Sequence, residues 1–346
     1  MLQSRLAFIG GGNMAEAILG GLLACGYPLS QCVVTEPLQA RCEFLHSKYP
    51  GLQVLSGPQA NILAVNGSES SSHTASLVDA GSVHINPTAA SDMFPPAEVV
   101  ILAVKPQVLR GVVSDLGETL HQRQPLVISI AAGIETSAIA RFMAEGASSS
   151  LSTSSAIAST GPETKAPVTV QAQDLPPVIR VMPNTPALVN EGATGLYATP
   201  DTTPSQRKVA ESLLGAVSKQ VSWVNQESLI DTVTGISGSG PAYFFLMMEA
   251  MEDAAVKLGM DRETAKELTI QTCLGAAKMA QSSDDDLKTL RVKVTSPQGT
   301  TDAAIKTFEK GGFRELVAES VKAADSRSKS LAVELCGPSI GKDSKL

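Results

Sequence analysis

Arg5-Leu6-Ala7-Phe8-Ile9-Gly10-Gly11-Gly12-Asn13-Met14-Ala15 decides the fold of this chain. Leu6 to Ile9 read as a short apolar strand and Gly10 to Gly12 as a turn. Ala15 to Ala24 read as a helix of Ala and Leu that Gly26 closes. Cys32-Val33-Val34-Thr35 is the next strand, and strand, helix and strand within about thirty residues make a βαβ unit with a parallel pair. The turn has the form G-x-G-x-x-A. Gly10 permits the tight bend, Gly12 lets a pyrophosphate approach the backbone, and Ala15 lets helix and strand pack closely.

Working outward, Val99 to Val104, Leu126 to Ile130 and Val178 to Met182 are apolar runs suited to buried parallel strands. Residues 66–96 and 146–176 are rich in serine and proline and read as surface insertions with little regular structure. After Glu227 strand signals stop. Helices are expected over Ala242 to Leu258, Arg262 to Gln281, Asp302 to Lys310 and Arg314 to Leu335. The expected organisation is an α/β Rossmann-type dinucleotide-binding domain at 1–227, an all-α domain at 228–335 and a tail at 336–346. The run Tyr243, Phe244, Phe245, Met247, Met248, Met251 is either the core stripe of one helix or an interface between two chains.

The chain has 43% hydrophobic and 18% charged residues and a net charge of −7, so no basic surface for nucleic acid is expected. There is no signal-peptide pattern, and no stretch approaches the roughly 20 apolar residues of a membrane span. Cys25, Cys32, Cys42, Cys273 and Cys336 form no C-x-x-C and are odd in number, which suits free thiols in the cytoplasm. His46, His73, His84 and His121 are scattered and read as surface residues, and no metal is expected.

Loops after strands mark the ligand edge of an open α/β sheet. The second strand ends at Thr35-Glu36, where an acid accepts ribose hydroxyls and repels a 2′-phosphate. Glu36 thus leans toward NADH, with Arg41 near enough in sequence to meet a phosphate. Ala103-Val104-Lys105-Pro106 and Ala131-Ala132-Gly133 belong to the same edge. At the other end, Val294-Thr295-Ser296-Pro297-Gln298-Gly299-Thr300-Thr301 runs into a helix expected to begin near Asp302. Its free N–H groups and hydroxyls suit a small carboxylate.

Four motifs in order, Gly10–Ala15, Arg180-Val181-Met182-Pro183-Asn184-Thr185-Pro186, Thr234 to Tyr243 and residues 294–301, resemble the pyrroline-5-carboxylate reductase family. The resemblance spans residues 5–330 apart from the two insertions. It implies a Rossmann domain followed by an all-helical dimerisation domain, a homodimer or higher homo-oligomer, and hydride transfer from NADPH or NADH to a cyclic imine. By position it implies that Ile9, Gly10, Gly11, Gly12, Asn13, Met14, Ala103, Val104, Lys105, Pro106, Ala131, Ala132 and Gly133 hold the cofactor. Glu191, Lys293, Ser296, Gly299, Thr300 and Thr301 would hold the substrate, with Thr301 relaying a proton. Gln298 stands where the family commonly has glycine and Lys293 where Asn or Gln is common, so a substituted pyrroline carboxylate is an alternative substrate.

A β-hydroxyacid dehydrogenase would share the first domain but needs a lysine on the helix after the glycine turn, and none occurs from Gly238 until Lys257. A protein that only senses the cofactor would have no use for the hydroxyl-rich loop at 294–301.

Overall fold

The computed structural model describes residues 4–67, 84–85, 94–158 and 170–336. Most of the serine-rich segment at 66–96, part of the one at 146–176, and the tail from 337 onward lie outside the described residues. Among the described residues one sheet holds β1 (Leu6–Ile9), β2 (Cys32–Thr35), β3 (Gln53–Ser56), β4 (His84–Ile85), β5 (Val99–Leu102), β6 (Leu126–Ser129), β7 (Val178–Met182), β8 (Gly192–Ala198) and β9 (Ser218–Trp223). Their order is β4-β3-β2-β1-β5-β6-β7-β8-β9. Strands β3, β2, β1, β5, β6 and β7 run parallel, while β4 and β8 are each antiparallel to the neighbours they join at β3 and β7.

Both faces of the parallel strands are apolar because both are covered. Leu6 and Phe8 point to one side, with α1 (Asn13–Ala24) and α2 (Gln39–Lys48) packed there; Ala7 and Ile9 point to the other. That second side carries α3 (Ala60–Asn66), α4 (Pro106–Arg123) and α5 (Thr136–Ala158). Phe8 is fully buried, and truncating such a side chain to alanine costs about 3–5 kcal/mol. Helix α1 ends as the sequence indicates. Gly26 has φ +83°, its N–H reaches Leu23 O at 2.9 Å, and the Tyr27 N–H reaches Leu22 O at 2.9 Å.

Some expectations need correction. Residues 146–158 are helical rather than loop. They extend α5, where Ala147 is buried and Ser149 Oγ donates to Glu145 O at 2.8 Å, so small side chains that looked like insertion sequence continue a packed helix. Strand β5 stops at Leu102, because Lys105 caps α4 and Pro106 occupies its first turn. His46 is half-buried, and its Nε2 is shielded from solvent without a partner; burial lowers the pKa of the ring.

Two compact units are present, Met1–Gly238 with Asp325–Leu346, and Ser239–Ala324. The first also contains α6 (Pro204–Gly215), with a Thr203–Gln206 capping box, and α7 (Leu229–Val233), which continues into a π-helical turn at Thr234–Gly238. The second contains α8 (Gly240–Lys257), α9 (Arg262–Ser282), α10 (Leu287–Lys293), α11 (Thr300–Lys310) and the start of α12 (Phe313–Cys336). Within it only Gly240, Ala265 and Thr269 are buried, whereas Phe244, Phe245 and Leu246 are 62%, 63% and 66% exposed. The aromatic run on α8 is therefore no core stripe of a single chain.

Candidate active site

The register of the parallel strands sets the ligand edge. Ile9 lies opposite Thr35 and Leu102, Leu102 opposite Ser129, and Ser129 opposite Arg180, so the loops after these strands leave from one line. Gly10 (φ +102°) is packed so that a Cβ there would stand 2.9 Å from Ala103 O and 3.0 Å from Val104 Cγ1. The first glycine loop and the 103–106 loop thus touch. A Cβ on Gly12 would meet nothing within 4 Å, which leaves that face of the turn open. Gly12 caps α1 without a side chain, and the first helical bond is Glu16 N–H to Gly12 O at 2.9 Å. The amides of Asn13, Met14 and Ala15 precede it and carry the positive end of the helix dipole. This cradle fits the pyrophosphate of a dinucleotide on geometric grounds.

Glu36 is 8% exposed and turned inward. Its Oε2 accepts the Gly11 N–H at 3.0 Å and its Oε1 the Leu38 N–H at 2.9 Å. Arg41 Nε donates to Gly11 O at 2.6 Å, and Arg41 Nη2 pairs with Glu16 Oε2 at 2.6 Å. Lys48 and Arg41 both bond the Glu16 carboxylate and lower its pKa, which outweighs the opposing effect of its burial. Lys105 is exposed, while Ala131 and Gly133 are buried and Ala132 is half-buried. Gly133 has φ +74°, and a Cβ there would lie 3.3 Å from Leu331 Cβ of α12.

The next strand end carries Asn184. Its Nδ2 donates to Ser237 O at 3.1 Å and its Oδ1 accepts the Ala193 N–H at 2.9 Å, fastening the π-turn to the start of β8. A Cβ on Gly238 would come 2.5 Å from Met182 Cε, so a larger residue in that turn would displace the end of the methionine side chain. Glu191, beside this start, is exposed.

The remaining candidate residues, Lys293, Ser296, Gly299, Thr300 and Thr301, all belong to the second unit. Gly299 N–H bonds Ser296 O at 3.0 Å, closing a turn with Pro297 second and Gln298 third at φ +60°. Helix α11 begins at Thr300, two residues earlier than expected, with Gly299 as a cap that has no side chain. The first helical bond is Ala303 N–H to Gly299 O at 3.1 Å, so the amides of Thr300, Thr301 and Asp302 are left for another acceptor. Asp302 Oδ2 accepts the Gln298 N–H at 3.1 Å and pairs with Lys306 at 2.7 Å, which holds the turn and lowers the Asp302 pKa. Lys293 pairs with Asp285.

Sequence reasoning missed a buried cluster around Arg180, which is 1% exposed. Arg180 Nη2 donates to Asp231 Oδ1 at 3.0 Å, and Nη1 lies 3.5 Å from Glu227 Oε1. An arginine inside the apolar run Val178 to Met182 was the available signal, because a buried charge demands partners.

The family profile described as pyrroline-5-carboxylate reductase dimerisation matches residues 227–331, and one described as NADP oxidoreductase coenzyme F420-dependent matches residues 5–133. The pyrroline-5-carboxylate reductase of Pseudomonas aeruginosa is 39% identical over 335 residues, covering 97% of this chain and 99% of the relative. That of Haemophilus influenzae is 38% identical over 332 residues, covering 96% and 98%. Among solved structures, a pyrroline-5-carboxylate reductase from Coxiella burnetii superposes with a TM-score of 0.72 at 36% identity, covering 96% of this chain and 99% of that one. The Plasmodium falciparum pyrroline carboxylate reductase with NADP bound shares the fold at a TM-score of 0.69 and 23% identity, covering 96% and 99%.

Proposed function

The chain belongs to the pyrroline-5-carboxylate reductase family, and on that premise we propose how its own residues carry out the reaction. It is an oxidoreductase that reduces the C=N bond of 1-pyrroline-5-carboxylate to L-proline with NAD(P)H. The reduced nicotinamide supplies the hydride to the imine carbon, and a proton must reach the nitrogen.

Ile9 to Met14 receive the pyrophosphate on the open amides of α1, with Ala103 to Pro106 and Ala131 to Gly133 lining the same sheet edge. Glu36 shapes the loop at the adenosine end. The amides of Thr300 and Thr301, with the Ser296 hydroxyl, bind the substrate carboxylate at a helix start left uncapped by Gly299. Thr301 Oγ relays the proton. Glu191 and Lys293 are further substrate residues that the family resemblance implies. A protonated imine is already electrophilic, so orientation and exclusion of water are the main demands on the protein.

The observations that carry this reading are an open glycine cradle in the first unit and, in the second, an uncapped, hydroxyl-rich helix start. The dimerisation profile over 227–331 supports a homo-oligomer, and the exposed face of α8 supports a dimer whose helices interlock. No helix among the described residues is long and apolar enough to cross a membrane. A cytoplasmic location is part of the proposal and rests on five unpaired cysteines. The test is oxidation of NADPH and NADH with pyrroline-5-carboxylate against 2-hydroxy acids. Turnover of the hydroxy acids alone would overturn the reading.

A further inference from the structure

We infer that Arg180 is a positioning residue for the reduction, holding the π-turn Thr234–Gly238, which carries the third family motif, in register with the cofactor-side loop Ala131–Gly133. The inference rests on the reductase reading of both loops. Each acid around the guanidinium also grips one side of the site. Glu227 Oε1 accepts the Thr136 N–H at 2.6 Å and its Oε2 accepts the Thr136 hydroxyl at 2.8 Å. That fixes the first residue of α5, immediately after the 131–135 loop. Asp231 lies in α7, one turn before the π-turn, and its Oδ1 also accepts the Ser328 hydroxyl at 2.8 Å.

Ser328 belongs to α12, whose Leu331 and Ala332 stand against Gly133; a Cβ on Gly133 would be 3.5 Å from Ala332 N. The far end of the π-turn is tied by Asn184 to the strand that carries Arg180. One buried cation therefore bonds the helix before the π-turn and, through Asp231, meets the end of α12, while its other nitrogen makes no hydrogen bond and stands within ion-pair distance of Glu227, the acid that holds the start of α5.

Burying the Arg180–Asp231 pair beside the half-buried Glu227 adds little net stability compared with apolar packing of the same volume, and the best-attested gain from such clusters is a unique geometry. Hydride transfer rewards that gain. Reacting atoms must approach to about 3–3.5 Å, and a misplacement of about 1 Å can cost a factor on the order of 100. A lysine at this position keeps the charge but lacks the fork that spans both acids.

The test is Arg180→Lys in the full-length enzyme, with whichever cyclic imine the unmodified enzyme reduces. The expected result is a folded oligomer with both KM values within about threefold and kcat lower by roughly 10- to 100-fold. The primary isotope effect on kcat with deuterated NAD(P)H should rise as hydride transfer becomes limiting. Unchanged kcat, or a loss confined to KM, would overturn the inference, as would a lower kcat that only mirrors a smaller folded fraction with the same isotope effect. If Arg180→Lys fails to fold, Ser328→Ala decides. It should show the same signature at smaller size, with Ser328→Thr restoring activity, and an unchanged Ser328→Ala enzyme would count against Arg180. Inactivity of the unmodified enzyme toward pyrroline-5-carboxylate bears on the substrate reading instead, because the variants are scored relative to the unmodified enzyme.

Discussion

The Gly11 amide donates to Glu36 Oε2 at 3.0 Å, so the acid at the end of β2 is part of the glycine loop's own scaffold. With Leu38 N–H on the other oxygen, the carboxylate shapes the loop, and in the proposed site it would set a negative charge at the adenosine end. Glu36→Ser should then have two effects. The ratio of NADPH to NADH specificity constants should rise about tenfold or more, since relief of like-charge repulsion need be only about 1.4 kcal/mol. Stability should fall by about 1–3 kcal/mol as the buried Gly11 amide and the more exposed Leu38 amide lose their acceptor. Strong NADPH preference in the unmodified enzyme would sink the charge argument, and an unchanged melting temperature the scaffold argument.

Thr301 separates binding from folding. Its hydroxyl has no partner among the hydrogen bonds that hold the 294–301 loop, so Thr301→Val should leave the unfolding midpoint nearly unchanged. A lost hydrogen bond of roughly 1–3 kcal/mol should lower kcat/KM by roughly 5- to 150-fold. A drop in kcat supports the proton relay, and a rise in KM alone reduces Thr301 to a binding group.

Gln298 occupies left-handed backbone space at φ +60°, where glycine meets no steric penalty. Relief of roughly 1–2 kcal/mol, less the entropy glycine loses on folding of roughly 0.5–1 kcal/mol, predicts that Gln298→Gly stabilises the protein by up to about 1.5 kcal/mol. Gln298→Val should destabilise it, because a branched side chain tolerates that region poorly. Urea midpoints that move in the same direction for both variants would contradict this account.

Phe245 is 63% exposed on a unit that buries almost nothing of its own. Phe245→Glu should convert the oligomer to a monomer in sedimentation and abolish turnover, while NAD(P)H binding, measured by fluorescence, persists. A fully active monomer would refute the interlocked dimer.

Burial pushes the Cys32 thiol up to about 12 and also raises that of Cys42. A thiol reacts as thiolate, so iodoacetamide at pH 8 should modify exposed Cys25 in the native enzyme and spare Cys32 and Cys42 until it unfolds. Equal labelling of all three, read by mass spectrometry, would contradict the buried placement.

Strands β1, β2 and β7 could be read to the residue because each is mostly apolar and is followed by Gly10, Glu36 or Pro183. Strand β8 was not legible. Gly192 and Gly195 dilute its signal, yet a Cβ on Gly195 would stand 2.7 Å from Val233, so close packing dictates what propensity disfavours. Likewise β3, Gln53–Ser56, is too short and too polar at its ends to stand out. The glycine turns of the site declare themselves locally, because positive φ and close approach leave few residue choices. The Arg180 cluster does not: its partners Asp231 and Ser328 come from distant stretches of chain, and only tertiary folding brings them together.

The return of residues 325–336 to the first unit has a consequence for biosynthesis. Ser328 cannot reach Asp231, nor Leu331 reach Gly133, until the ribosome has passed the entire helical segment between them. Domains emerging from the ribosome ordinarily fold in order from the N-terminus. Here the nucleotide-binding unit emerges first yet stays incomplete while Ser239–Ala324 is translated, with the apolar surface of that segment already exposed. Helix α12 acts as a latch that closes the first unit only after Ser239–Ala324 has been made.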